Sequence, residues 1–279
     1  MRIIALTVIA MIAFAANSVL ARLAFATAGA EPLSYTGIRL AAGAATLAVL
    51  LALRRRNVRL GGSWSGVAAL FGYAILFSIA YILLGAGTGA LILFASVQIG
   101  MLGWAVYRGD RPGLIEWLGF VVAFGGLVYL LSPGVVAPNP LGALLMLVAG
   151  LCWAAYTLIG RASTSPLDDT AGNFMRSSPL AVVMIVAGAL THGVSLAAVI
   201  YAIVSGALAS GLGYAVWYTA LPSLSRTRAA IVQLTVPAIA GAGGVLFIGE
   251  ALSPRLVIAT IAIIGGVALA VISSSRRRT

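Results

Sequence analysis

Ten apolar runs follow one another along the chain, each close to the length of a bilayer-crossing helix. Such a helix needs roughly 20 mostly apolar residues. The runs occupy 3–24, 33–53, 64–84, 89–107 and 114–131, then 141–160, 171–190, 196–221, 229–248 and 256–272. An uncharged Pro/Gly break, Ser132 to Pro140, separates the fifth from the sixth. The seventh carries Arg176 and Pro179. The pattern predicts an all-α integral membrane protein with ten transmembrane helices.

Composition supports the pattern. Of the 279 residues, 62% are hydrophobic and only 8% charged, with a mean hydropathy of +1.11. A soluble domain carries about 25% charged residues, so too little polar side chain exists to cover a water-facing surface. The net charge is +11, and all 17 basic residues are Arg. They sit in short clusters between apolar runs, which is the signature of membrane topology rather than of a nucleic-acid-binding face. With the N-terminus inside, the inner connections hold Arg2, Arg54, Arg55, Arg56, Arg59, Arg108, Arg111, Arg161, Arg226, Arg228, Arg276, Arg277 and Arg278. The bias predicts a multi-pass inner-membrane protein with both termini cytoplasmic. The first run resembles a secretory signal. It is read as a retained span, because it contains the first copy of a repeated motif.

That motif is "AFAANSVLAR" (Ala13 to Arg22), matched by "CWAAYTLIGR" (Cys152 to Arg161) at an offset of 139. Other pairs follow at nearly the same offset. "YRGD" (107–110) matches "FIGE" (247–250), Gly125-Gly126 matches Gly265-Gly266, and Glu31/Arg39 matches Asp168/Arg176. Together they argue for duplication, with one five-helix repeat over 1–137 and a second over 138–279. Five is odd, so the second repeat enters from the opposite face. Inverted repeats are the architecture of secondary transporters, with a midplane site between halves that rock by alternating access.

Two stretches then resemble a known family. "VPAIAGAGGVLFIGEALSPRLVIATIAIIGGVALAV" (Val236 to Val271) looks like the closing segment of EamA-type members of the drug/metabolite transporter superfamily. "GMLGWAVYRGDRPGLIEWLGFVVAFGGLVYLL" (Gly100 to Leu131) is its first-half counterpart, with Asp110 where the family usually carries Glu. Length and aromatic-rich helices are most similar to the YddG-type aromatic amino-acid exporters. The resemblance implies that helices 1, 3, 4, 6, 8 and 9 line a central cavity and that helices 5 and 10 lie at the periphery. It also implies an exporting direction, which no residue fixes.

Candidate substrate contacts are aromatic and polar. Tyr73, Phe77 and Tyr81 recur every four residues, with Ser78 beside them. Helix eight offers Ser210, Tyr214, Trp217 and Tyr218; helix six offers Trp153 and Tyr156. A cavity for an amino-acid side chain wants aromatic walls and a few polar groups, but packing or an interfacial belt also accounts for such residues. Asn17, Ser18, Gln98, Thr157 and Gln233 lie in apolar helices, where each needs a partner or water. Interhelical hydrogen bonding and substrate recognition are both open, with Gln98 and then Gln233 the favoured recognition candidates. Arg22, Glu31 and Arg39 form an outer charge cluster; Arg161, Asp168 and Arg176 an inner one. Structural pairing is favoured for these over a gate or funnel. Gly100 and Pro237 are hinge candidates.

Absences shape the functional expectation. No acid sits mid-span, and the chain has one His and one Cys. No metal or cofactor site is expected, and an intramembrane enzyme is disfavoured. Without a carboxylate or His relay, a facilitator is expected: an exporter of small neutral metabolites, aromatic and other large apolar amino acids above all. A broad drug exporter and an anion carrier using Arg39 or Arg176 are the alternatives. The expected partners are a small-molecule substrate and the lipid bilayer, and a monomer is compatible with the sequence.

Overall fold

The computed structural model describes residues 1–54, 60–84, 86–132, 139–191, 193–249 and 251–275. The expected boundary at 137/138, His192, Glu250, Arg55, Arg56, Arg59 and Arg276 to Arg278 fall outside them, as do the side chains of Tyr81 and of residues 26, 82, 86–88 and 273–275.

Ten rods run through the described residues: α1 (Arg2–Arg22), α2 (Pro32–Arg54), α3 (Trp64–Leu83), α4 (Ala86–Tyr107), α5 (Leu114–Leu131), α6 (Pro140–Arg161), α7 (Pro166–Thr191), α8 (Leu196–Ser223), α9 (Arg226–Ile248) and α10 (Pro254–Ser275). Nine of them are long and apolar enough to span a bilayer, and α3 supplies the tenth. Side chains such as Val8, Ile12, Val121, Val183 and Ile261 point outward from the bundle, half exposed or more. Such an apolar exterior is stable only against lipid, and the protein is an integral membrane protein.

Polar side chains begin the helices. Ser63, Asn139, Ser195, Ser225 and Ser253 each accept the N–H three residues on. Glu31 accepts from the N–H groups of Leu33 (2.9 Å) and Ser34 (2.7 Å) at the start of α2, and Glu116 accepts from Gly113 (2.7 Å) at the start of α5. These caps satisfy N–H groups that the helix cannot. Glycine ends α4 and α9. Gly109 (φ 85°) and Gly249 (φ 75°) take the left-handed conformation that a side chain resists. They are the glycines of "YRGD" and "FIGE", so the repeated motif marks a repeated helix stop.

The packing repeats as well. α2 lies against α7 and α5 against α10. α3 and α4 both pack on α6, and their mates α8 and α9 both pack on α1. Exchanging the halves therefore maps the principal contacts onto themselves. Gly126 and Gly266 sit in the α5–α10 seam, where a side chain would strike the facing helix.

Besides the π-helical turn Leu23–Thr27 that extends α1, two helices depart from regular winding in their interiors. α8 is π-helical over Ser205–Leu212. α9 turns at Leu234, whose N–H bonds Ile231 O at 3.0 Å. Pro237 has no N–H to offer the Gln233 carbonyl four residues back, which accounts for a break at this point. By contrast α4 continues unbroken through Gly100, where the Ala154 and Leu151 side chains press close. Gly100 is thus a packing contact with α6 and not a bend.

Candidate functional site

A cavity of about 510 Å³ opens between the halves. Its lining comes from α1, α3, α4, α6, α8 and α9, from α2 through Tyr35, Thr36 and Arg39, and from the last residue of the otherwise peripheral α5, Leu131. The resemblance did not place α2 there. α2 reaches the interior because Gly206, in the π-helical stretch of α8, lies against the Arg39 carbonyl and Ala42. Most of the lining belongs to the helix halves remote from the N-terminus. Leu131 ends α5 there, and Ala90 and Leu93 begin α4 there.

Aromatic rings form the floor and walls. Phe14 meets Trp153, Tyr214 and Trp217 edge-on, at centroid distances of 5.6, 5.5 and 5.9 Å. Trp153 also lies 5.1 Å from Tyr73 and 5.2 Å from Tyr214. Below this layer, toward the N-terminal face, Tyr156 and Tyr218 meet edge-on at 5.2 Å, both fully buried. Beneath them is a second, smaller cavity of about 210 Å³, lined by Gly62, Ser63, Tyr156, Gly160, Asp169, Asn173 and Tyr218 among others. A two-layer aromatic plug therefore separates two cavities on opposite faces.

Polar side chains brace the rings. Trp153 donates its indole N–H to Gln233 Oε1 at 2.8 Å, and the Gln233 amide donates to Ala229 O at 3.0 Å and Met101 Sδ at 3.1 Å. Gln233 lines the cavity with its hydrogen bonds already made, which suits orienting Trp153. Gln98 lies off the cavity and donates to Ala230 O at 3.0 Å, tying α4 to α9. Ser78 is off it too, sharing a 2.6 Å bond with the Thr36 hydroxyl and bracing α3 against α2. Ser210 and Trp217 are buried outside the lining, and Tyr156 faces the smaller cavity. Asn17, Tyr73, Phe77, Trp153, Tyr214, Gln233, Arg22, Arg39 and Pro237 are brought together on the large one.

The two charge clusters differ. Asp169 Oδ1 accepts the Gly62 N–H (2.6 Å), Asn173 accepts the Ser63 N–H (3.0 Å), and Arg176 donates to Gly61 O (2.6 Å) with its guanidinium 5.9 Å from the Trp64 ring. Together they fasten the start of α3 to α7. Arg161 donates to Leu224 O at 2.9 Å, and Asp168 is buried in the first turn of α7. In the other cluster Glu31 engages the α2 backbone, while Arg39 points away from it to Asn17 Oδ1 at 3.2 Å. Spacing alone also passed over Phe14 and Phe94 in the lining. Phe14 occupies the place of Trp153 in the first copy of the opening motif, so the repeat carried a signal for it.

The EamA-like transporter family model matches residues 140–272. An uncharacterized protein of Pseudomonas aeruginosa is 51% identical over 272 residues, 96% of this chain and 94% of that one. The uncharacterized transporter YwfM of Bacillus subtilis is 30% identical, covering 83% of this chain and 81% of its own. The threonine/homoserine exporter RhtA of Escherichia coli is 29% identical over 94% of this chain and 88% of its own. A solved crystal structure with 20% identity superposes with a TM-score of 0.81, covering 96% of this chain and 98% of that one, which shows the same fold. By the family-model match and the sequence relatives, the chain belongs to the EamA-like transporter family of the drug/metabolite transporter superfamily.

Proposed function

We propose that the protein exports amino acids with aromatic or other large apolar side chains across the inner membrane by alternating access. The observation that carries this reading is the aromatic-walled cavity, plugged on the N-terminal face by Tyr156 and Tyr218. Its volume and walls suit one such side chain. The exporter RhtA is a relative over nearly the whole chain. The units that rock are the two five-helix repeats, 1–137 and 138–279, and the self-mapping of their contacts supports that division. The Arg bias puts both termini in the cytoplasm, so this structure is the outward-facing state. Among the described residues the cavity lining holds no Asp, Glu or His, which favours a facilitator running down the substrate's own gradient.

The test is exchange in proteoliposomes. Preloaded phenylalanine or leucine should accelerate uptake of the labelled compound with saturation. Flux that rises linearly with concentration and shows no counterflow would contradict a carrier. A second reading, an organic-anion antiporter, is favoured by one observation: among the described residues the lining contains Arg22 and Arg39 and no acid. Faster exchange of organic acids than of amino acids would select it.

A further inference from the structure

Arg39 is 4% exposed, yet it lines the large cavity. Its hydrogen bond to Asn17 Oδ1 is long, at 3.2 Å, and the same oxygen also accepts from the Ser205 hydroxyl. Its Nε has no hydrogen-bond partner. Among the described residues, the side chains whose charge bears on it are the phenols of Tyr35, Tyr73 and Tyr214, of which Tyr73 is also a hydrogen-bond partner. The acid that spacing offered, Glu31, is occupied by the α2 backbone.

A buried guanidinium with no counter-charge is costly, and its planar fork matches a carboxylate in two parallel hydrogen bonds. The repeat mate behaves differently. Arg176 gives its Nη1 to Gly61 O and lies over Trp64. One copy of the duplicated arginine is thus held by the protein itself, and the other faces a cavity with donor capacity to spare. Phe14, Phe77 and Trp153 supply apolar surface to the same cavity.

We infer that Arg39 is the receptor for a carboxylate of the transported molecule, whose apolar part lies against Phe14, Phe77 and Trp153. The inference rests on the cavity being the substrate site. It holds for a zwitterionic amino acid and for an organic anion, since both carry the group.

Binding to the purified, detergent-solubilised chain tests it, read by titration calorimetry. The probes are phenylalanine, phenylalaninamide, phenethylamine, 3-phenylpropionate, threonine and threoninamide. The expected result is binding of the carboxylates, with the amide and the amine weaker by roughly tenfold or more, as loss of a charged hydrogen-bonded pair implies. Arg39→Gln should erase that difference and Arg39→Lys should keep part of it; gel filtration and ligand-free melting check that both fold. The acid-versus-amide comparison on the native chain needs no variant. Equal binding of phenylalanine and its amide, discrimination that survives in Arg39→Gln, or no binding of any carboxylate in the panel overturns the assignment. If the phenyl compounds bind regardless of carboxylate, Arg39 loses its role while the aromatic side-chain reading stands. If threonine alone is preferred over its amide, the carboxylate receptor stands and the aromatic reading falls. Tighter binding of 3-phenylpropionate than of phenylalanine supports the receptor and identifies the anion as its source.

Discussion

Gln233 shows how one side chain can line a site while serving its neighbour. Its Oε1 holds the Trp153 indole N–H, and its amide is satisfied by α9 and Met101. Gln233→Leu leaves that N–H buried without an acceptor, at a cost of about 1–3 kcal/mol. The expected outcome is a lower melting temperature in detergent and weaker substrate binding, with Gln233→Glu, which keeps an acceptor, recovering much of both. A melting curve and a binding isotherm on the two variants check it. Unchanged binding in Gln233→Leu would mean that Trp153 needs no such support. Residues like Gln233 and Gln98 are conspicuous in an apolar helix, so the sequence reading finds them. What they bond depends on how each helix is rotated about its axis. In a membrane bundle that rotation is hard to read from hydrophobicity, because the lipid-facing and the packed faces are both apolar. Arg39 and Asn17 were each conspicuous for the same reason, but that they would bond each other was not legible.

At the scale of elements, the plug and the α9 break are the parts that move in this account. The Tyr218 ring lies directly on Gly160, and a methyl group there would overlap it. Gly160→Ala should therefore obstruct the meeting of α6 and α8 at the N-terminal face and favour opening of the smaller cavity. Thr170, which lines that cavity and is buried, provides the reporter. In a Cys152→Ala background, Thr170→Cys should react faster with a membrane-impermeant maleimide from the N-terminal face when Gly160→Ala is present; an unchanged rate contradicts the plug. Pro237→Ala restores an N–H four residues after Gln233 and should straighten α9, slowing exchange several-fold with little change in substrate affinity. Exchange at the native rate would remove α9 as a hinge. The number and order of the helices, and the Pro237 break, were readable from apolar run length and from proline chemistry. The π-helical stretch of α8 was not. Its Ser-Gly-Ala composition permits several windings, and close packing against α2 accompanies the one observed.

On the proposed reading the whole molecule is organised by duplication. Repeated sequence motifs, repeated left-handed glycines and repeated helix contacts all pair one half with the other. The duplication was legible because its motifs lie at nearly one offset. The asymmetry that fills a single large cavity was not, since it reflects the conformational state and not the residue order. Coupling belongs to this scale. With no acid or His among the described residues that line the cavity, a protonophore applied at constant substrate gradient should leave export unchanged, as flux measurements in energy-depleted cells can show; abolished export would assign a proton-coupled step.

The central claim is that the two cavities open in turn around one substrate. Reciprocal labelling tests it most directly. Ala90→Cys in the large cavity and Thr170→Cys in the small one, each without Cys152, are labelled from their own faces with and without substrate. The account predicts that substrate drives the two rates in opposite directions, with the Thr170→Cys position gaining reactivity as the Ala90→Cys position loses it. Rates that rise together, as in an open pore, or that ignore a bound substrate would contradict it.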